Sequence, residues 1–410
     1  MENKKKIMLI PPIVLPIPAV GGGAVEQLVT HLLDENEIQQ KVEFVVVAKY
    51  HPDAEKKEYK HSKIYYIEDE DSPHEKLSHI KKKYKLYLLG RKVFKNHLTI
   101  KFFPQDIHYM DFFMYQCYRI AKKEKVNFVV NENRWNSDVF DIFNYKLGRD
   151  RVFYHLHYTR EEDVATRKII SNSISISNYV RENWVVSSEI EGKNVVLYNG
   201  IDIAPFKETF DKQKCLELRS KMQLTEADFV IIFCGRIIPE KGVEQLLNAF
   251  EKLEEINVQV KLVMIGSVGF SEGTVTDFSE RIVKKATELS NVRYLGYIPN
   301  KEMPKYYAAA DIQIVPSVWQ EGAGLVTVEG MASGLPLIVT RSGGMIEYVD
   351  SECSVQLAID DKLSDHIVEA ILELAKHPER CESMSKYGRD RAELYTKEKY
   401  YTEFVNIFQC

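Results

Sequence analysis

Two clusters in the chain carry residue types suited to phosphate chemistry. The denser runs from Pro316 to Glu347, PSVWQEGAGLVTVEGMASGLPLIVTRSGGMIE, and holds Glu321 and Glu329 with Gly322, Ala323, Gly324 and Leu325 between them. If a strand ends near Ser317 and a helix starts around Leu325, the turn between them aims backbone N–H groups into the crevice at the strand ends, where open α/β sheets bind ligands. Amides at a helix start make an anion site suited to a diphosphate. Glycine matters there because any Cβ would hold the backbone away from the ligand. Glu329 would lie about one turn into the helix, within reach of a sugar hydroxyl. Taken singly, the two glutamates read equally well as solvated helix-end charges.

The second cluster is FCGRIIPEKG, Phe233 to Gly242, directly after an apolar run and before a helical pattern from Val243 to Leu253. Arg236 offers a planar fork and Lys241 a point charge, and phosphates use both. In isolation the segment also reads as a surface ion pair such as Glu240 with Lys241. Further upstream, Gly21, Gly22 and Gly23 precede a helical stretch from Val25 to Leu33 and form another loop of close backbone approach at a helix start. The spacing is not the G-x-G-x-x-G dinucleotide fingerprint, so no NAD is expected.

His155 and His157 in VFYHLHY, Val152 to Tyr158, end a strand-like run and share one face because strand side chains alternate with period two. They could be half of a zinc site, but no third ligand stands at motif spacing, and a packed or surface pair is the plainer alternative. Between Lys81 and Lys95, basic residues alternate with Tyr, Leu and Phe. That composition suits an interfacial segment resting on anionic lipid, and equally a solvated basic helix packed on its own domain.

The elements that must position these residues follow from length and pattern. A chain of 410 residues exceeds one core and predicts two domains. Hydrophobic residues at 45%, charged residues at 28% and a net charge of −5 describe an ordinary globular protein with no overall footprint for nucleic acid. The six scattered cysteines, without a C-x-x-C pair, fit a reducing compartment. Prolines 11, 12, 16 and 18 interrupt the apolar N-terminus, which argues against a secretory signal, and no apolar run predicts a membrane-spanning helix. Short Val- and Ile-rich runs at Lys6–Ile10, Val42–Ala48, Asn127–Asn131 and Val152–Leu156 alternate with helical stretches, as in βαβ units. The same rhythm returns at Phe229–Cys234, Val260–Ile265, Val292–Leu295, Ile312–Val315 and Leu337–Val339. Two parallel sheets are expected, with the connection between Tyr198 and Asp228. From Arg391, Tyr395, Tyr400, Tyr401, Phe404 and Phe408 form an aromatic stripe at near-helical spacing that needs a surface to cover.

In this order the motifs resemble the family 4 retaining glycosyltransferases of GT-B fold. The likeness rests on GRIIPEKG, on YLGYIPNKEMPKYYAAADIQIVPS, on EGAGLVTVE and on the following GMASGLPLIVTRSGGMIE. The glycine loop, ISISNYVRENW and VLYNGID support it, so it covers nearly the whole chain, strongly from 195 to 350 and weakly from 30 to 150. It implies an α/β protein of two Rossmann-like domains, residues 1–200 for the acceptor and 201–391 for a nucleotide sugar, facing across a cleft. A final helix, about 392–410, would cross back to the first domain. By matching positions, Arg236 and Lys241 would bind the diphosphate, Glu329 the nucleotide ribose, and Glu321 with the amides of Gly322, Ala323, Gly324 and Leu325 the donor sugar and phosphate. Gly22 and Gly23 would lie near donor phosphate or acceptor, and His157, rather than His155, would face the donor sugar. Ala323 stands where many members carry Phe, and Gly330 where many carry Ala. The latter would cost up to about 1 kcal/mol of helix stability.

The implied reaction moves a sugar from a nucleoside diphosphate sugar to the hydroxyl of a glycan or lipid-linked acceptor, with retention by same-face attack. It needs no metal and no cofactor. A cytoplasmic enzyme of bacterial surface polysaccharide assembly, resting peripherally on the inner membrane face through residues 81–95, would fit. A nucleotide-sugar epimerase of the same fold or a non-catalytic partner subunit are the alternatives.

Overall fold

The computed structural model describes residues 4–12, 14–20, 22–67, 109–133, 143–144, 146–159, 172–185, 192–208, 210–267 and 276–408. Gly21 and the basic segment 81–95 lie outside the described residues. The chain divides into two units, Met1–Ile176 with Val180–Leu197 and Tyr401–Cys410, and Ser177–Tyr179 with Tyr198–Tyr400.

The N-terminal unit holds seven strands: β1 (Lys6–Ile10), β2 (Glu43–Lys49), β3 (Ser62–Ile67), β4 (Phe128–Glu132), β5 (Val152–Leu156), β6 (Asn172–Ser175) and β7 (Asn194–Val196). They form one parallel sheet in the order β3-β2-β1-β4-β5-β6-β7. The C-terminal unit holds β8 (Phe229–Cys234), β9 (Val260–Ile265), β10 (Val292–Gly296), β11 (Ile312–Val315), β12 (Leu337–Thr340) and β13 (Ser354–Leu357). These also pair only in parallel, in the order β10-β9-β8-β11-β12-β13. The inner strands are apolar without alternation, as in Phe229–Cys234 (FVIIFC), because helices cover both faces of a parallel sheet. On one face of the second sheet the helix Val243–Glu255 buries Val243, Leu246, Leu247, Phe250 and Leu253, a spacing of three and four residues.

In each sheet the strand order reverses once, between β1 and β4 and between β8 and β11. Outside the carboxyl ends of the strands at such a point, diverging connections leave a crevice. The loops after β8 and β11 contain both clusters singled out from the sequence.

Four strands escaped the sequence pattern: β3, β6, β7 and β13. Three of them carry polar residues that mask their apolar content, as in Asn172–Ser175 (NSIS), and the shortest, Asn194–Val196, has three residues. The aromatic stripe is also divided. Residues 378–392 form a separate helix, and the last helix is Lys397–Ile407. Tyr395 packs on Tyr348 at 4.8 Å within the C-terminal unit. In the N-terminal unit Phe404 meets Phe44 at 6.1 Å, Phe408 meets Phe153 at 5.0 Å, and the Tyr401 hydroxyl donates to Asn36 Oδ1 at 2.6 Å.

Gly330 illustrates how packing overrides helix propensity. It sits in the helix Val326–Ser333, and a Cβ there would meet Gln313 Oε1 at 1.8 Å and Leu337 Cδ2 at 3.0 Å. Gln313 is fully buried on β11 and donates from Nε2 to the Val326 carbonyl at 3.0 Å, so it has little room to yield. Gly330→Ala is therefore expected to destabilise the protein by about 1–3 kcal/mol, the range for overpacking, despite alanine's better propensity. Urea unfolding should show a lower midpoint at unchanged slope.

Candidate functional site

The C-terminal unit assembles three loops. After β8 the chain passes Gly235 and Arg236, makes a short 3-10 turn at Pro239–Lys241, and enters the helix at Gly242. Gly242 has φ +65°, and a Cβ on it would lie 1.9 Å from the Pro316 carbonyl oxygen. Only glycine allows this turn to press so closely on the chain leaving β11. The Glu240 carbonyl then accepts from the Val318 and Trp319 amides at 3.0 and 3.3 Å. The third loop, Thr340–Gly344 after β12, closes on the second: the Thr340 hydroxyl donates to the Ser317 carbonyl at 2.6 Å, and the Gly344 amide to the Glu321 carbonyl at 2.7 Å.

This lacing brings Lys241 Nζ to 2.5 Å from Glu321 Oε1, which also accepts from the Ser317 hydroxyl at 2.6 Å. Lys241 thus pairs with Glu321 across 80 residues, and not with its neighbour Glu240. Gly322, Ala323, Gly324 and Leu325 lead from Glu321 into the helix Val326–Ser333, whose Thr327 and Val328 amides donate back to the Gly324 and Leu325 carbonyls, both at 2.9 Å. Gly324 has φ +77°, and a Cβ there would strike Met345 Cγ at 2.7 Å. Arg236 is exposed on the first loop.

Glu329 lies in the first turn of that helix, half-buried, and its Oε2 accepts from the Tyr307 hydroxyl at 2.7 Å. Loss of solvent pushes its carboxyl up to about 7, against the Tyr307 bond that lowers it. Tyr307, within YLGYIPNKEMPKYYAAAD, was given no role from the sequence; it is fully buried, and its hydroxyl holds the Glu329 carboxylate. Glu347 was likewise unassigned. Its carboxylate accepts from the Asn178 and Tyr179 amides at 2.8 and 2.7 Å and from the Tyr198 hydroxyl at 2.9 Å, all within the C-terminal unit.

In the N-terminal unit the helix Ala24–Gln39 starts from Gly22 and Gly23, with φ +94° and +90°. A Cβ on Gly22 would meet open space, whereas one on Gly23 would strike Glu26 Oε2 at 2.3 Å. Glu26 is buried, and burial raises its carboxyl above the usual range. His155 and His157 share a face, as alternation requires, and both reach Glu132 at the end of β4. His155 Nδ1 is 2.8 Å and His157 Nε2 2.9 Å from Glu132 Oε2. His155 is wholly buried, while the His157 side chain keeps 7% of its surface at the edge of the cluster. Burial opposes charge on Glu132, but the two imidazoles outweigh it and keep the carboxylate ionised. Burial, with His155 alongside, holds His157 neutral against the pull of Glu132.

Two parallel Rossmann-like units, each with one strand-order reversal, define the GT-B class of fold. Solved structures agree. A glycosyltransferase from Rickettsia africae aligns with TM-score 0.76 at 14% identity over 99% of this chain and 98% of that one. Anabaena HepE in complex with UDP and glucose aligns with TM-score 0.69 at 16% identity over 98% and 99%. Residues 216–391 match the family described as glycosyl transferases group 1. A lipopolysaccharide 1,2-N-acetylglucosaminetransferase of Salmonella typhimurium is 30% identical over 192 residues, 44% of this chain and 50% of its own. The chain spans about half the length of the curated relatives it matches. Among the described residues no helix is long and apolar enough to cross a membrane.

The raised Glu329 carboxyl gives a signed prediction. Its acid is weaker folded than unfolded, so the fold holds the proton that the unfolded chain releases above about 4.5. Stability is therefore lost as pH rises from there through about 7. Glu329→Gln should remove that component, so thermal melts at pH 5 and pH 8 should show wild type losing ground relative to the variant. Parallel melting curves would exclude the raised carboxyl.

Proposed function

We propose that the chain is a retaining glycosyltransferase that moves a sugar from a nucleoside diphosphate sugar to an acceptor hydroxyl. The observation that carries this reading is the Lys241–Glu321–Ser317 cluster beside the start of the helix Val326–Ser333, at the strand-order reversal of the second sheet. A cation, the loop amides from Gly322 to Leu325 and the Glu329 carboxylate further along the chain would suit a nucleoside diphosphate from end to end. Arg236, Lys241 and the Gly322–Leu325 amides would take the charge that develops as the diphosphate leaves, the kind of stabilisation that dominates many transfer reactions. Glu329, once ionised, would accept from the ribose hydroxyls.

Lys241 and Glu321 form an ion pair at 2.5 Å. A diphosphate would share that lysine, leaving Glu321 beside the donor sugar. Such a site needs no metal for leaving-group departure. Retention follows if the acceptor attacks from the face the diphosphate vacates, its proton passing to the leaving phosphate. His157 would contact the donor sugar, and Gly22 and Gly23 the phosphate or acceptor. The Salmonella relative acts on lipopolysaccharide, as its name states, which supports a glycan or lipid-linked acceptor in surface polysaccharide assembly. Residues 81–95 would then rest on the inner membrane face of a cytoplasmic enzyme.

The test is binding and transfer with UDP-, GDP-, ADP- and dTDP-sugars in EDTA. Lys241→Ala should lower turnover about 100-fold or more, as loss of one transition-state donor does. Glu329→Ala should act chiefly on affinity, weakening the nucleotide about 10- to 100-fold, the cost of a charged hydrogen bond. Wild-type turnover in the first or wild-type affinity in the second removes that residue from its role. Donor interconversion with no acceptor present would mean an epimerase.

A further inference from the structure

The Glu132–His155–His157 cluster is built differently from an ordinary buried hydrogen-bond network. Glu132 and His155 are Cα partners in the β4–β5 register, and His157 follows on the same face. The nearest ring and carboxylate atoms of all three lie within 4.8 Å of one another. Yet only the His157 contact with Glu132 has hydrogen-bond geometry. His155 Nδ1 is ion-paired with Glu132 Oε2 at 2.8 Å, off the hydrogen-bond axis, while Glu132 Oε1 and His155 Nε2 lack partners. Each orphaned buried polar atom costs about 1–3 kcal/mol, and this cluster holds two.

We propose that this cluster is a binding site for a divalent transition-metal ion of the zinc class, coordinated by His155 Nδ1, His157 Nε2 and the Glu132 carboxylate. Two imidazoles and one carboxylate are a recurrent donor set for zinc that leaves a coordination position open. An ion here would supply a partner to His155 Nδ1 and, with a bidentate carboxylate, to Glu132 Oε1. The backbone is braced for the purpose: the Asn133 amide donates to the His155 carbonyl at 2.9 Å, and Asn133 Oδ1 accepts from the His157 amide at 3.5 Å. Entry would be from the His157 side, the one edge of the cluster that keeps exposure. The site lies on β4 and β5, far in sequence from Lys241 and Glu321, and it shares His157 with the donor-sugar contact proposed above, so metal uptake is measured independently of transfer.

The test uses the full chain without a polyhistidine tag, stripped of metal and titrated with Co2+ and then with Zn2+. Saturable uptake of one Co2+ per chain is expected, with visible d–d absorption that Zn2+ displaces. Glu132→Gln and His157→Asn should each weaken uptake by more than about 100-fold, beyond what loss of a mere supporting residue costs. Circular dichroism establishes that each variant is folded, and His157→Asn, at the edge of the cluster, serves if the buried change does not fold. Absence of saturable uptake, or uptake unchanged in a folded variant, would overturn the proposal and leave the cluster as a hydrogen-bonded pair.

Discussion

The contact between Gly242 and the Pro316 carbonyl is the constraint on which the C-terminal unit's site depends. It fixes the distance between the chain leaving β8 and the chain leaving β11, and so decides whether Lys241 can meet Glu321 at all. A side chain at 242 would force the turn outwards and separate charges that lie 80 residues apart in sequence. The two bonds into the Glu240 carbonyl and the seating of Gly344 on the Glu321 carbonyl are secondary consequences of the same approach. Three glycine-bearing loops are thus held together by backbone contacts.

The two units use one geometry for different chemistry. In each, the informative side chains sit at the carboxyl ends of strands at or next to the strand-order reversal, where connections pass to opposite faces. In the C-terminal unit the loops there bring a lysine and a carboxylate together beside the start of the helix Val326–Ser333. In the N-terminal unit two imidazoles, from β5 and the residues just after it, meet a carboxylate at the end of β4.

Much of this was legible in the sequence, for identifiable reasons. The inner strands announced themselves because burial on both faces demands unbroken Val and Ile, and the loops did because glycine, lysine and glutamate cluster there. Strands such as Ser62–Ile67 and Asn172–Ser175 did not, since polar residues interrupt their apolar pattern. Glu132 could not be recognised as the partner of the histidines, because strand register brings it to His155 from 23 positions away. Tyr307 and Gln313 were invisible for a related reason: a buried tyrosine or glutamine shows its polar task only when its neighbour is known. Gly330 read as a weak helix residue until Gln313 was found in the space its Cβ would occupy.

The central claim is that the cradle after β8 and β11 recognises a diphosphate, and phosphate number tests it directly. Affinities of a nucleoside, its monophosphate and its diphosphate, measured by calorimetry in EDTA, should rise steeply at the second phosphate, and that step should vanish in Lys241→Ala. A series that gains nothing at the second phosphate, or keeps its gain without Lys241, would contradict the account.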